Sequence, residues 1–273
     1  MAGTLLKWAG GKRWIVPILS SLILKFGDVP LIELFAGGAA LSFALERDKV
    51  ILNDKNPHLI NFYLQIQQGV DIFSVGVEFK NDKEIFYKNR TRFNELVKNG
   101  MENTPEAAAL LYYLNKTAYN GLMRFNSKGF FNTPFGKYKT INYTFDILSY
   151  KRLTKSWKFM CRDFSEVEIP PDAVVYADPP YDVEFTNYNA DGFDWEEQVR
   201  LIEFLCDISN PIILSNQATE RIVKLYKSHD FIITLKDAPR FISCNGDRDK
   251  AKEVIAYKNV PNNYINKEPL SLL

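Results

Sequence analysis

The run AVVYADPPY, residues 173–181, constrains this chain more than any other stretch. Its apolar part predicts a buried strand. Pro179 and Pro180 have no amide hydrogen, so they end the strand that carries them. Asp178 is therefore delivered to the carboxyl end of a core strand, on a backbone with little freedom. In open α/β sheets that end is where ligands bind. Tyr181 adds an aromatic face, and the prolines leave carbonyls with no competing N–H. A carboxylate, a carbonyl and a ring together suit a planar heterocycle carrying an exocyclic amine: the oxygens accept from the amine and the ring stacks. An aspartate after a strand also serves as a plain turn former, so the rest of the chain has to decide.

The surrounding pattern is α/β. VPLIELF reads as a core strand, AGGAA as a tight turn, ALSFALER as a helix and KVILND as a second strand ending at Asp54, a βαβ unit. Helices are expected from about Pro57 and over 84–98 and 105–118. Residues 119–145 turn to Asn, Gly and aromatics, with a hairpin expected around NSKG. An edge strand near WKFMCRD, the AVVYA strand, the helix EEQVRLIEFLCDI, the strand PIILSN, the helix TERIVKLYKSH and the strands FIITLK and EVIAYK follow. The simplest architecture is a doubly wound α/β sheet formed by 1–56 and 146–273, with an insert of mixed helix and hairpin at 57–145.

Composition narrows the options further. With 273 residues, 46% hydrophobic and 25% charged, the chain is an ordinary globular protein. The net charge of +1 means that any basic surface must be local. Cys161, Cys206 and Cys244 show no C-x-x-C pairing and are expected as buried hydrophobes in a reducing compartment. His58 and His229 are far apart, which argues against zinc and for no metal at all. WIVPILSSLIL is too short to span a bilayer and predicts a buried helix with Pro17 near its first turn, in a soluble intracellular protein.

Two glycine turns frame the first strand. In LIELFAGGAA the strand runs into glycines and then a helix, which lets backbone approach a ligand and aims helix N–H groups at it. Asp54 ends the next strand, where a carboxylate holds a ribose in dinucleotide sites. A strand-to-helix turn that simply needs small residues explains the same glycines. KWAGGK, residues 7–12, reads as an N-terminal loop with a glycine turn, or as backbone brought near a ligand with Trp8 and Lys12 beside it.

In this order KWAGGK, ELFAGGAALSF, NDKN, NGLMRFNSKGFFNTPFGKYK and DPPY resemble the Dam-type DNA adenine-N6 methyltransferases, from Lys7 to about Tyr257. The resemblance implies a Rossmann-like methyltransferase fold, S-adenosylmethionine as methyl donor and an adenine in duplex DNA as acceptor. It also implies a cytoplasmic protein, at the nucleoid while acting. Carried over residue by residue, it assigns the cofactor to Trp8, Lys12, Phe35, Gly37, Gly38, Asp54, Asp163, Phe164 and Asp178. The catalytic tetrad is Asp178, Pro179, Pro180 and Tyr181. One departure stands out: the family loop often reads F-x-G-x-G, and its last position here is Ala39, which fits the turn if φ stays negative.

Between Glu106 and Asp146 there is no acidic residue, while Lys116, Arg124, Lys128, Lys137 and Lys139 are interleaved with aromatics. That is the local basic surface the net charge hides. Phe130, Phe131 and Phe135 are expected to pack inward. An adenine must leave the helix to reach Asp178, and wedges hold a duplex open. By resemblance Tyr119 and Leu122 in YNGLMR insert at the DNA, Asn120 between them is a further DNA contact, Arg124 reads guanine and Tyr138 contacts a further base, which implies GATC as target. Lys116, Lys137 and Lys139 are read as phosphate contacts. Methylation of another planar amine, such as cytosine N4 or a glutamine amide, stays open, although Asp178 argues against it. So does a DNA-binding protein without activity. Whether a restriction nuclease accompanies the protein is not legible in the sequence.

Overall fold

Short apolar runs closed by polar or glycine residues set the strands, and longer amphipathic runs set the helices between them. The computed structural model describes residues 2–8, 10–182, 193–238 and 251–265. In chain order these are α1 (Val16–Leu24), β1 (Leu31–Glu33), α2 (Ala40–Leu45), β2 (Val50–Asn53), α3 (Pro57–Gln68), α4 (Lys83–Lys98) and α5 (Pro105–Thr117). Next come α6 (Ile147–Thr154), β3 (Lys158–Met160), β4 (Val174–Ala177) and α7 (Trp195–Cys206). Last are β5 (Ile212–Gln217), α8 (Glu220–Ser228), β6 (Ile232–Ala238) and β7 (Ala251–Lys258).

The strands form a mixed, mostly parallel seven-stranded sheet of the doubly wound α/β class, in the order β3-β2-β1-β4-β5-β7-β6. β1 pairs with β4, β2 with β3 and β4 with β5 in parallel, and β7 runs antiparallel to both β5 and β6. The order reverses between β1 and β4, the switch point where doubly wound sheets leave a crevice beyond their strand ends. β1 runs into Phe35 at that end, and β4 runs into Asp178.

The chain divides into two compact units, Met1–Gly11 with Ala36–Asp163 and Lys12–Phe35 with Phe164–Leu273. In the first unit α3 and α5 start with the same grammar. Asn56 and Thr104 cap their helices by accepting backbone N–H bonds, and a proline opens each first turn. α5 is buried over almost its whole length, which its run of Ala, Leu and Tyr permits. Around it Phe62, Tyr112, Phe86, Phe93 and Phe131 fill the core.

In the second unit β1 and β4 are buried throughout and β5 up to its last residue, half-buried Gln217, as parallel strands covered on both faces must be. α1 buries Val16, Leu19, Leu22 and Ile23 while Ile18 and Leu24 stay exposed, so the expected buried helix covers the core with one face. α6 is an addition to the sequence reading; Asp146 caps it through the Ser149 N–H. Cys161 departs from expectation: it is exposed, because it lies just past the edge strand β3 and not in a core. Cys244 falls outside the described residues. No described helix is long and apolar enough to cross a membrane.

Candidate active site

In the second unit β4 ends as its prolines require, and Asp178 projects from the strand end. Its Oδ1 accepts from the Lys12 ammonium at 2.5 Å and from Ser215 Oγ at 3.2 Å, and its Oδ2 has no partner among the described residues. The side chain is 22% exposed. Burial raises the Asp178 pKa above the usual carboxylate range, against the opposing pull of Lys12 and of the Ser215 hydrogen bond.

The backbone after Asp178 is held from behind. The Pro180 carbonyl accepts from the Gln198 side chain at 2.8 Å. Gln198 in turn accepts from Asn216 at 3.1 Å, and Asn216 also donates to the Tyr226 hydroxyl at 3.0 Å. The Pro179 carbonyl has no partner among the described residues. Asp182, next along, is buried and takes a two-pronged ion pair from Arg221, whose guanidinium lies over the Trp195 ring. Tyr181 donates its hydroxyl to Glu253 at 3.1 Å, which fixes the ring beside Asp178. Phe35 and Phe164 pack with ring centroids 5.7 Å apart, and Phe193 sits against both.

Sequence reading assigned Asp178, Pro179, Pro180 and Tyr181 to catalysis and Lys12, Phe35 and Phe164 to the cofactor, and all seven lie in the second unit. It missed Gln198, Ser215, Asn216, Arg221 and Glu253. The available signal was the end of PIILSN, where an apolar strand closes on two polar residues. Both are fully buried at Ser215 and Asn216. Glu253 gave no signal, since one acid in a strand reads as an outward-facing residue.

The first unit carries the glycine turn. Gly37 has φ +47°, and a Cβ there would meet the Trp8 indole at 2.6 Å, so glycine is required twice over. Tyr63 donates to the Gly37 carbonyl at 2.8 Å. Ala39 corrects the expectation of a negative φ: it stands at φ 49°, ψ 38°, in the left-handed region, directly before α2. Asp54 Oδ2 accepts from the Gly37 N–H and Oδ1 from the Asn56 N–H, both at 2.9 Å. One carboxylate thus ties the turn after β1 to the cap of α3. Asn53 pairs with Arg162 in both directions through its side-chain amide, which sets the start of the segment leading to Asp163. The Asp163 carboxylate lies 3.9 Å from the Lys55 ammonium.

The same unit holds the expected DNA-facing segment. Residues 122–126 and 130–135 form a hairpin closed by the Asn126–Phe130 and Gly129–Asn126 backbone bonds. Phe131 is buried, and Phe130 and Phe135 are half-buried, so these rings turn inward as expected. Arg124, Lys128, Lys137, Lys139, Asn120 and Tyr119 are exposed, and Leu122 is half-buried. Lys116 is not on that surface: it is buried, with its ammonium 5.2 Å from the centre of the Tyr112 ring. Tyr138 is half-buried and donates its hydroxyl to the Ala118 carbonyl, with the Lys7 ammonium over its ring at 3.9 Å. Among the described residues no cluster of His, Cys, Asp and Glu could hold a metal ion.

A carboxylate with one oxygen unpartnered among the described residues at the switch point of a doubly wound sheet, a fixed ring beside it and a basic, aromatic segment elsewhere in the chain describe an enzyme class. The chain belongs to the D12 class N6 adenine-specific DNA methyltransferases, whose family model matches residues 8–240. It is an adenine-specific DNA methyltransferase, and its substrate is DNA. The Retron Ec67 DNA adenine methylase of Escherichia coli is 34% identical over 93% of this chain and 90% of its own length. The type II methyltransferase M.MjaIII of Methanocaldococcus jannaschii is 36% identical over 90% of this chain and 94% of its own. The DNA adenine methylase of Haemophilus influenzae is 32% identical, with 92% of both chains covered.

Proposed function

We propose that this chain transfers the methyl group of S-adenosylmethionine to N6 of an adenine rotated out of duplex DNA, within GATC. The observation that carries the chemistry is the divided Asp178 carboxylate, with Oδ1 engaged by Lys12 and Ser215 and Oδ2 without a partner among the described residues. The N6 lone pair of adenine is delocalised into the ring, so the amine is a poor nucleophile. Asp178 Oδ2 accepts one N6 hydrogen and the Pro179 carbonyl the other, which favours tetrahedral character and frees the lone pair. Tyr181, held by Glu253, stacks on the base. This is stabilisation by preorganised dipoles and alignment, and the proton left after transfer has Asp178 as its nearest acceptor.

S-adenosylmethionine supplies a sulfonium-activated methyl group and a leaving group that needs no protonation. The donor set fits it: the Asp54 carboxylate, held by the Gly37 and Asn56 N–H groups at the turn after β1, is of the acceptor type that ribose hydroxyls need. Trp8, Gly37, Gly38 and Asp163 in one unit, and Lys12, Phe35, Phe164 and Asp178 in the other, are the remaining residues proposed for the cofactor. Lys12 acts there through Asp178, to which it is ion-paired.

Target recognition is proposed for 57–145. Arg124 suits guanine O6 and N7 through its fork. Tyr119 and Leu122 fill space left by unstacking, Asn120 and Tyr138 make further DNA contacts, and Lys137 and Lys139 neutralise phosphates. Lys116, being buried, supports the wall behind them. The names of the relatives favour a DNA adenine methylase or a type II methyltransferase, so a nuclease partner is compatible with this reading. The test is to methylate a randomised duplex library with the purified protein and read the modified sites. Modified adenines in GATC are expected. Methylation of cytosine, or no methylation, rejects the chemistry; adenine methylation outside GATC rejects the target alone.

A further inference from the structure

Glu253 lies inside β7, opposite Gln217 of β5 and Lys236 of β6, and is 2% exposed. A carboxylate so buried is costly unless paired and hydrogen-bonded. Its Oε1 is ion-paired with the Lys12 ammonium, and its Oε2 accepts from Tyr181 at 3.1 Å. The same ammonium donates to Asp178 Oδ1 at 2.5 Å and to Ser215 Oγ at 3.1 Å. The ammonium thus hydrogen-bonds to two acceptors, one from the end of β4 and one from β5, and is ion-paired with a third group from β7.

Two carboxylates share one cation. If Lys12 faced Asp178 alone, its full charge would lower the basicity of Asp178 and weaken it as an acceptor for an amine. Glu253 divides that charge. It also holds the ring that is proposed to stack on the base. We propose that Glu253 is a positioning residue of the methyl-transfer site: it shares Lys12 with Asp178 and anchors Tyr181, so that Asp178 stays a strong acceptor beside a fixed ring. This rests on the role proposed above for Asp178.

The electrostatics run the same way. Burial raises the pKa values of both Asp178 and Glu253, Lys12 lowers both, and the Asp178 charge raises Glu253 further. The other groups facing the cluster are Tyr176, Tyr181 and Tyr226, all pushed up by burial and therefore neutral, and Glu33, whose charge acts on Tyr176. The Lys12 ammonium also lies 5.0 Å from the centre of the Tyr181 ring, the ring whose hydroxyl Glu253 holds.

The experiment is a carbon-13 NMR titration of the Asp178 and Glu253 carboxyls in the full-length wild type, E253Q and E253D. In the wild type the two should titrate as a coupled pair, in two steps. In E253Q the proton affinity of Asp178 should fall about tenfold, a downward move of roughly one pH unit; in E253D it should stay near the wild-type value. The acid limb of the kcat profile should move with it, and kcat should fall about tenfold while KM for DNA holds within about threefold. An Asp178 curve that is single-step in the wild type, or unchanged in E253Q, overturns the proposal. The wild-type curve needs no variant to fold, and no titration needs cofactor or DNA. A protein that shows the coupling but methylates nothing therefore rejects the proposed function and not the shared cation.

Discussion

At the scale of single residues, Asp178 is the proposed centre of the chemistry because its two oxygens have different surroundings. Oδ1 is engaged by Lys12 and Ser215, which fix the carboxylate plane, and Oδ2, without a partner among the described residues, is the oxygen proposed to meet the amine. Asp178→Ala removes the acceptor and keeps the DNA surface, which lies in other residues. Single-turnover methylation should fall by about 10²–10³-fold, the loss seen when one preorganised hydrogen-bonding group is deleted. DNA affinity, read by fluorescence anisotropy, should hold within about threefold. Turnover close to wild type in the variant would remove Asp178 from the mechanism. The side chains behind it show why part of the site escaped a reading of the sequence. A proline pair announces a strand end in any context, so DPPY was legible. Glu253, Gln198 and Asn216 become site residues only through the β5–β7 pairing and the packing of α7, which no local pattern encodes.

At the scale of elements, the turn from β1 into α2 carries the largest departure from the sequence expectation. Ala39 adopts a left-handed conformation that costs a residue with a Cβ about 1–2 kcal/mol. Glycine there would relieve that strain, offset in part by the freedom it adds to the unfolded chain. Ala39→Gly should therefore raise stability by about 0.5–1 kcal/mol, roughly 1–4 °C in Tm. A melting curve that stays put or falls would show that the buried Ala39 methyl outweighs the strain. The helices were legible because their caps are written in the chain: Asn56-Pro57 opens α3 and Thr104-Pro105 opens α5 within a residue of expectation. α6 was missed because Asp146 and Ser149 are a weak signal beside the aromatic run before them. Lys116 was read as a surface cation from its neighbours in sequence, but α5 is buried almost all round and takes Lys116 with it.

At the scale of the molecule, the net charge of a nearly neutral chain gives no pull on a polyanion, and the segment proposed to meet DNA carries its own cations. Arg124, Lys128, Lys137 and Lys139 are exposed there. Two of them should behave differently. Arg124→Ala should cost about 1–3 kcal/mol of discrimination at the guanine before the target adenine. Lys139→Ala should weaken every duplex alike and reduce the slope of log Kd against log salt by roughly one. Binding isotherms on GATC and scrambled duplexes at several salt concentrations separate the two. Equal losses on both duplexes for Arg124→Ala would exclude it as a base reader. The N-terminal segment adds a constraint on how such a molecule is made. Asn115 clasps the Lys7 backbone from both sides, accepting from its N–H at 2.8 Å and donating to its carbonyl at 2.7 Å. The next residue, Trp8, is the one that closes over Gly37. On the ribosome, at about 5–20 residues per second, that lock is synthesised several seconds or more after its partner. The emerging N-terminus must therefore stay unclasped, and the glycine turn unsealed, until α5 has been translated.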